Sequence, residues 1–187
     1  LWGQGLGILY ASIFCLHLFL MAAFTAIPAV MTEQVGLPPE QHAWLYLATL
    51  CGALPGVAML VRRRQALDDS RPLLALSVLL TVLGLVTALW ASSLLVLGVG
   101  LMLFFVGFTA LETILPALVS IVAPTSLRGT AMGIFSSAQF LGVFTGGALG
   151  GNALHVGGAV GLVAVLSMLT GIWLAGLWRY GRAPMAA

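Results

Sequence analysis

Charged residues are scarce in this chain. They make up 6% of its 187 residues, whereas hydrophobic residues make up 61%, and the mean hydropathy is +1.13. A soluble domain needs a charged surface, so this composition excludes one. The formal net charge is only +2, and the few arginines give no support to a nucleic-acid-binding function. The composition predicts an integral membrane protein.

Cysteine is rare as well, and the common enzyme motifs are missing. Cys15 and Cys51 fall inside apolar stretches without metal-ligand spacing, so we expect buried free thiols that pack as small apolar side chains. No C-x-x-C, H-E-x-x-H, Ser-centred G-x-S-x-G, P-loop or dinucleotide-binding fingerprint occurs. The sequence therefore predicts no metal, no cofactor and no enzymatic activity.

Long apolar stretches dominate what is present. About 20 apolar residues wound as a helix match the roughly 30 Å hydrocarbon core of a bilayer. We therefore predict an all-α membrane protein, in which one bundle over residues 1–187 has six transmembrane helices. The predicted spans are 6–27, 43–61, 73–91, 94–121, 130–150 and 158–178.

The arginines predict the orientation of these spans, because cytoplasmic loops retain positive charge during insertion. All seven basic residues fall in alternate connections or after the last span, which places both termini in the cytoplasm. Glu33 and Glu40 lie in an opposite connection, and Asp68 and Asp69 are expected to form a solvated pair beside the arginines. The seven are Arg62, Arg63, Arg64, Arg71, Arg128, Arg179 and Arg182.

Polar residues inside the spans are few, and their placement has a period of three spans. Spans one and four carry one ionisable residue each near mid-depth, His17 and Glu112, and span five carries Gln139. A 3+3 repeat whose first helices line a path accounts for this placement. His17 is interpreted either as a functional histidine or as a neutral packing residue. Gln139 is interpreted either as a substrate contact or as a bond between helices.

Glu112 is the strongest candidate, because ionisable groups at membrane depth tend to mark proton, ion or substrate pathways. We expect it to carry a proton, and the alternative is a protonated glutamic acid that only holds helices together. Pro116 follows one turn later and cannot donate a backbone hydrogen bond to the carbonyl of Glu112, which weakens the helix there. Pro116 is therefore a candidate hinge.

Span five is rich in glycine. Glycines spaced four apart allow a second helix backbone to approach closely, so we predict helix packing here. The candidate packing or hinge residues are Gly133, Gly142, Gly146 and Gly150.

Two strings carry a resemblance to a known family: LFFVGFTALETILPALVS at 103–120 and RGTAMGIFSSAQFLGVFTGGALGG at 128–151. They resemble the carboxy-terminal half of Major Facilitator Superfamily transporters, in the drug:proton antiporter branch, and HLFLMAAFTAIP at 17–28 is similar too. The glycines of span five reproduce the spacing of that branch's G-x8-G-x3-G-P-x2-G motif, although Gly147 stands where its proline belongs. The resemblance covers essentially the whole chain.

This resemblance implies helices seven to twelve of a twelve-helix transporter in the cell's inner membrane, with an amino-terminal half of the same protein as partner. The chain opens at Leu1 without a signal-peptide pattern, so we expect further sequence upstream. The implied function is secondary active export of a small drug-like or sugar-like solute, coupled to protons. The alternatives are a sensor or scaffold module that does not transport, or a half-size protein that pairs with itself.

Overall fold

The computed structural model describes residues 4–65, 67 and 69–180, and this part of the chain contains helices and connections but no β-strand. Asp68 and Arg182 lie outside the described residues. Within these described residues, five helices are long and apolar enough to cross a membrane. The all-α class is therefore confirmed. The helices are α1 (Gln4–Ala29), α2 (Pro39–Gln65), α3 (Arg71–Leu89), α4 (Leu94–Val122) and α5 (Arg128–Tyr180).

The helix ends follow from local sequence. Ser93 precedes α4, and its hydroxyl oxygen accepts a hydrogen bond from the backbone N–H of Val96, as is typical of an N-cap. Pro28 lies near the end of α1, where the missing N–H disturbs the regular pattern of hydrogen bonds. The chain continues from there as a short π-helix, Val30–Gln34. Gly36, with φ of 73°, then ends the helical path.

Helix α5 is broken at Gly158. Its 53 residues would extend for about 80 Å as a straight helix, more than twice the hydrocarbon thickness of a bilayer. Gly158 has φ of 58° and ψ of −155°, a conformation that is open essentially to glycine alone. The break divides α5 into a first arm, 128–157, and a second arm, 159–180.

The first arm runs parallel to α1. Gly142 lies against the backbone of Phe14, and Gly150 lies against Ala22, two turns further along both helices. Residue numbers therefore rise together along the two elements. Glycine allows this approach because a Cβ at either position would meet backbone atoms of α1.

The second arm runs antiparallel to α1. The indole N–H of Trp173 donates a 2.9 Å hydrogen bond to the hydroxyl oxygen of Ser12, and both residues are buried. Gly176, further along the arm, lies against Ile8, which comes earlier in α1. The two arms of α5 thus pass along α1 in opposite directions, with the reversal at Gly158.

Helices α3 and α4 form a second close pair. Gly84 of α3 and Gly100 of α4 lie against each other's backbones, and Gly107 lies against the backbone of Ser77. Buried apolar side chains form two clusters along the bundle. The first cluster includes Leu16 and the second includes Leu18, so His17 lies at the boundary between them.

Several sequence expectations differ from the structure. Helix α3 ends at Leu89 rather than at residue 91, and the first arm continues beyond residue 150 to the break. The first arm is longer because helical hydrogen bonding is not limited to the apolar stretch, whereas α3 is shorter because Trp90, with φ of −106° and ψ of 20°, leaves the helical conformation. The expectation that both cysteines are buried is wrong: Cys15 is half-buried, and Cys51 is exposed because most of the apolar surface of α2 lies outside the bundle.

Candidate functional site

His17 is fixed in the bundle by its own helix. The residue is buried, and its Nδ1 lies 3.2 Å from the carbonyl oxygen of Ile13, one turn earlier in α1. A carbonyl oxygen can only accept a hydrogen bond, so Nδ1 carries the proton in this contact. In the neutral ring, Nε2 is then left as an acceptor.

Gln139, in the first arm of α5, meets that acceptor. Its side-chain nitrogen lies 2.9 Å from Nε2 of His17, and the amide N–H donates to the ring nitrogen. The two residues are 122 positions apart in the sequence. The structure therefore brings together the two polar residues predicted at mid-depth in spans one and five.

Glu112 of α4 completes the group. Its Oε2 lies 3.6 Å from Nε2 of His17, close enough for a charge interaction and too long for a hydrogen bond. Oε2 is buried and has no hydrogen-bond partner among the described atoms. The side chain as a whole remains 36% exposed, against 6% for His17. One carboxyl oxygen thus faces the histidine, and part of the side chain remains accessible from outside the bundle.

Aromatic rings cover the other side of His17. Phe108 makes an edge-on contact with the imidazole at a centroid distance of 5.6 Å. Phe104 stacks on Phe108 at 5.8 Å, with the ring planes 10° apart. These rings exclude water from this side and strengthen the charge interactions of the group. Sequence reasoning did not single out Phe108, although its spacing of one turn from Glu112 was a usable signal.

Pro116 does not interrupt α4, which is helical from Leu94 to Val122. The carbonyl of Glu112 lacks the N–H donor that a residue other than proline would supply one turn later. Pro116 is half-buried.

The glycines of span five divide into two groups. Gly142, Gly146 and Gly150 each lie against the backbone of α1. Gly133 makes no such contact, because a Cβ there would meet no described atom of another helix within 4 Å. Nine residues separate Gly133 from Gly142, which is about two and a half turns, so the two face opposite sides of the helix. The prediction grouped Gly133 with Gly142 only because of their spacing in the sequence.

The group combines a carboxyl, an imidazole and an amide. The described residues include no cluster of three or more His, Cys, Asp or Glu able to hold a metal ion. A carboxyl and an imidazole that face each other at 3.6 Å can transfer a proton with a small movement. Gln139 occupies the remaining hydrogen-bonding position of the ring.

The helices are long and apolar, and an ionisable group lies between two apolar clusters. These features define a membrane protein of several spans with a polar site at depth. The family model of the Major Facilitator Superfamily matches residues 9–186, and the chain belongs to that family.

Three curated relatives are similar over most of the chain. The inner membrane transport protein YajR of Escherichia coli (strain K12) is 37% identical over 170 residues, which is 87% of this chain and 36% of YajR. Two uncharacterized transporters of Buchnera aphidicola, from subspecies Baizongia pistaciae and Acyrthosiphon pisum, are each 30% identical, over 142 and 140 residues. These matches cover 75% and 73% of this chain and 36% and 35% of the relatives. The chain thus spans about a third of the length of the relatives that it matches.

Proposed function

We propose that the protein works as a secondary active transporter that exports a small solute across the inner membrane in exchange for protons. One observation carries the proposal: Glu112, His17 and Gln139 come from three different elements and meet at the boundary of the two apolar clusters. Glu112 is the proposed proton carrier. His17 is its exchange partner.

The burial of Glu112 supports this role. A carboxylate at membrane depth costs roughly 3 kcal/mol on insertion scales unless water or a partner reaches it. Oε2 has no hydrogen-bond partner among the described atoms, so ionisation there gains no hydrogen bond to offset that cost. The exposed part of the side chain gives protons a route to the same group. Such a site alternates between protonated and ionised forms when access changes.

The proposed topology has six membrane crossings in a 3+3 arrangement, with both termini in the cytoplasm. The opposite directions of the two α5 arms along α1 support a crossing by each arm. Arg62, Arg63 and Arg64 occupy the last turn of α2, which agrees with a cytoplasmic end there. The inner-membrane location is proposed from the name of YajR.

Alternating access is the proposed mechanism, in which this bundle rocks against a second helical half of the same protein. The close glycine contacts between α1 and α5 support movement of the bundle as one body, and Pro116 is the proposed point of bending in α4. Drug-like or sugar-like solutes are the proposed substrates, because the resembled branch of the family moves them.

Flux in proteoliposomes tests the proposal. The full-length protein is reconstituted in vesicles with an acidic lumen, and uptake of ethidium and of radiolabelled lactose is followed. Outflow of protons is expected to drive uptake of at least one probe by the wild type. Glu112→Gln is expected to abolish gradient-driven uptake while counterflow exchange of the same probe continues.

Thr113→Val is the matched control, since Thr113 is exposed and its hydroxyl bonds only to the carbonyl of Thr109 among the described residues. It is expected to leave uptake unchanged. Gradient-driven uptake that survives Glu112→Gln would make Glu112 a structural residue. Absence of flux with either probe in the wild type would favour the sensor or scaffold alternative.

A further inference from the structure

We propose that Gln139 is a positioning residue whose amide orientation is tied to the protonation state of His17, so that proton transfer from Glu112 rotates the Gln139 amide on α5. This inference rests on the proposed function, because it describes how the same site passes a proton. It adds a residue and a movement that the geometry of Glu112 and His17 alone does not supply.

The neutral His17 ring carries its proton on Nδ1. The carbonyl of Ile13, one turn earlier in α1, faces Nδ1 of His17 at 3.2 Å. The singly protonated ring therefore carries its proton on Nδ1. All change on protonation is confined to Nε2, the atom that faces Gln139 and Glu112.

The second step is the contact at Nε2. In the neutral ring, Nε2 accepts, and only the nitrogen end of the Gln139 amide can satisfy it. The structure has this arrangement, with 2.9 Å between the two nitrogens. The Gln139 N–H then occupies the direction from which a proton would arrive. The Oε2 atom of Glu112, 3.6 Å from Nε2, is left without a hydrogen-bond partner among the described atoms.

The third step is the transfer. The carboxyl O–H bond of Glu112 breaks and an N–H bond forms at Nε2, which converts a neutral acid and a neutral imidazole into a carboxylate and an imidazolium. The sum of charges is unchanged. Nε2–H is now a donor, so the amide N–H of Gln139 can no longer point at it. Rotation of the amide by about half a turn presents its oxygen as an acceptor instead.

Few groups compete for this proton. The hydrogen bonds, ion pair and ring contact of His17 within the described residues involve one titratable partner, Glu112 of α4. Helix α5 contributes the uncharged Gln139, α4 also contributes the ring of Phe108, and α1 contributes the carbonyl of Ile13. The orientation of Gln139 is therefore set by His17 and Glu112 together.

Nitrogen NMR of the full-length protein, labelled with ¹⁵N-histidine in lipid nanodiscs, tests the tautomer directly. The His17 signals are assigned by their loss in His17→Gln. At alkaline pH the wild type is expected to show the neutral ring with its proton on Nδ1. A neutral ring with its proton on Nε2 would overturn the proposal, and this result requires no variant at Gln139.

Gln139→Glu tests the positioning role. A carboxylate cannot donate to neutral Nε2 but accepts readily from the imidazolium, so the ¹⁵N signal of the imidazolium is expected to gain intensity over that of the neutral ring at the same pH. Gln139→Leu offers neither group and is expected to retain the Nδ1 tautomer. Ser137→Glu adds the same charge on the opposite side of the first arm and is expected to leave the titration of His17 unchanged.

The transport profile separates the two proposals. If protons are coupled through this site, Gln139→Glu shifts the pH dependence of uptake in the same direction as the titration, and His17→Gln removes the shift. If His17 shows the Nδ1 tautomer and its titration shifts in Gln139→Glu, but no gradient-driven flux occurs, the proposed function is contradicted and the Gln139 inference stands. Normal flux with an unmoved titration in Gln139→Glu would overturn the inference alone.

Discussion

Gly146 of α5 lies directly against the carbonyl oxygen of Leu18 in α1, so that even a single Cβ would collide with the backbone. Gly142 and Gly150 repeat the contact one turn before and one turn after, against Phe14 and Ala22. The two helices are therefore in direct backbone contact over several turns. This contact holds α1, which carries His17, against the arm of α5 that carries Gln139.

We predict that Gly146→Ala destabilises the protein, because a backbone atom cannot move aside as the end of a side chain can. Overpacking of this kind costs about 1–3 kcal/mol. Gly147→Ala is the matched control, since no described atom lies within 4 Å of a Cβ at that position. It is expected to be neutral or to stabilise by roughly 0.5 kcal/mol, because alanine favours helix more than glycine does.

Thermal unfolding of the full-length protein in detergent provides the measurement. Gly146→Ala should melt several degrees below the wild type, and Gly147→Ala at or slightly above it. Equal melting temperatures for the two variants would contradict the close packing of α1 and the first arm. Proton-coupled uptake by Gly146→Ala should fall as well, since displacement of the arm separates Gln139 from His17.

The membrane class and the polar residues of the site were predictable from the sequence. Length and apolarity decide which segments cross a membrane, and these are local properties. Glu112 and His17 were identifiable because an ionisable side chain stands out in an apolar stretch. No structure was needed for either step.

The pairing within the site was not predictable. Gln139 and His17 are 122 residues apart, and no local pattern links them. The sequence left Gln139 open as either a substrate contact or a bond between helices, and only the contact at Nε2 identifies its partner. The glycines gave a similar ambiguity, because a spacing motif does not state which face each glycine occupies. Gly133 shares the motif with Gly142 and yet faces the opposite side.

A second prediction concerns the break in α5. At φ of 58° and ψ of −155°, Gly158 adopts a conformation that a side chain strains by about 1–3 kcal/mol. Gly158→Ala is therefore expected to lower the melting temperature, whereas Gly157→Ala, whose Cβ would meet no described atom within 4 Å, is not.

The same pair of variants tests the reversal of the chain. Cysteine labelling of a buried position in the second arm, such as Leu177, follows the packing of this arm when Cys15 and Cys51 are replaced by serine. Gly158→Ala is expected to increase the labelling of Cys at position 177, and Gly157→Ala to leave it as in the parent. Identical stability and labelling of the two variants would show that glycine at 158 is not required for the turn.

The third prediction concerns Arg71, which joins the start of α3 to the end of α5. Its guanidinium contacts both carboxylate oxygens of Asp69, with the shortest contact at 2.7 Å, and donates to the carbonyl oxygen of Trp178 at 3.2 Å. It also lies 5.2 Å from the centre of the Trp178 ring. An ammonium group cannot make these contacts together, because it lacks the planar fork of the guanidinium.

Arg71→Lys is therefore expected to lower the melting temperature nearly as much as Arg71→Ala, although it keeps the charge. Arg62→Lys is the control, since Arg62 is exposed in the last turn of α2, and it should melt like the wild type. Melting curves at low salt and at about 1 M salt separate charge from geometry, because the Debye length falls to about 3 Å at 1 M. A loss in Arg71→Lys that persists at high salt supports the fork and the ring contact, whereas full stability of Arg71→Lys would show that charge alone holds the second arm of α5 to the start of α3.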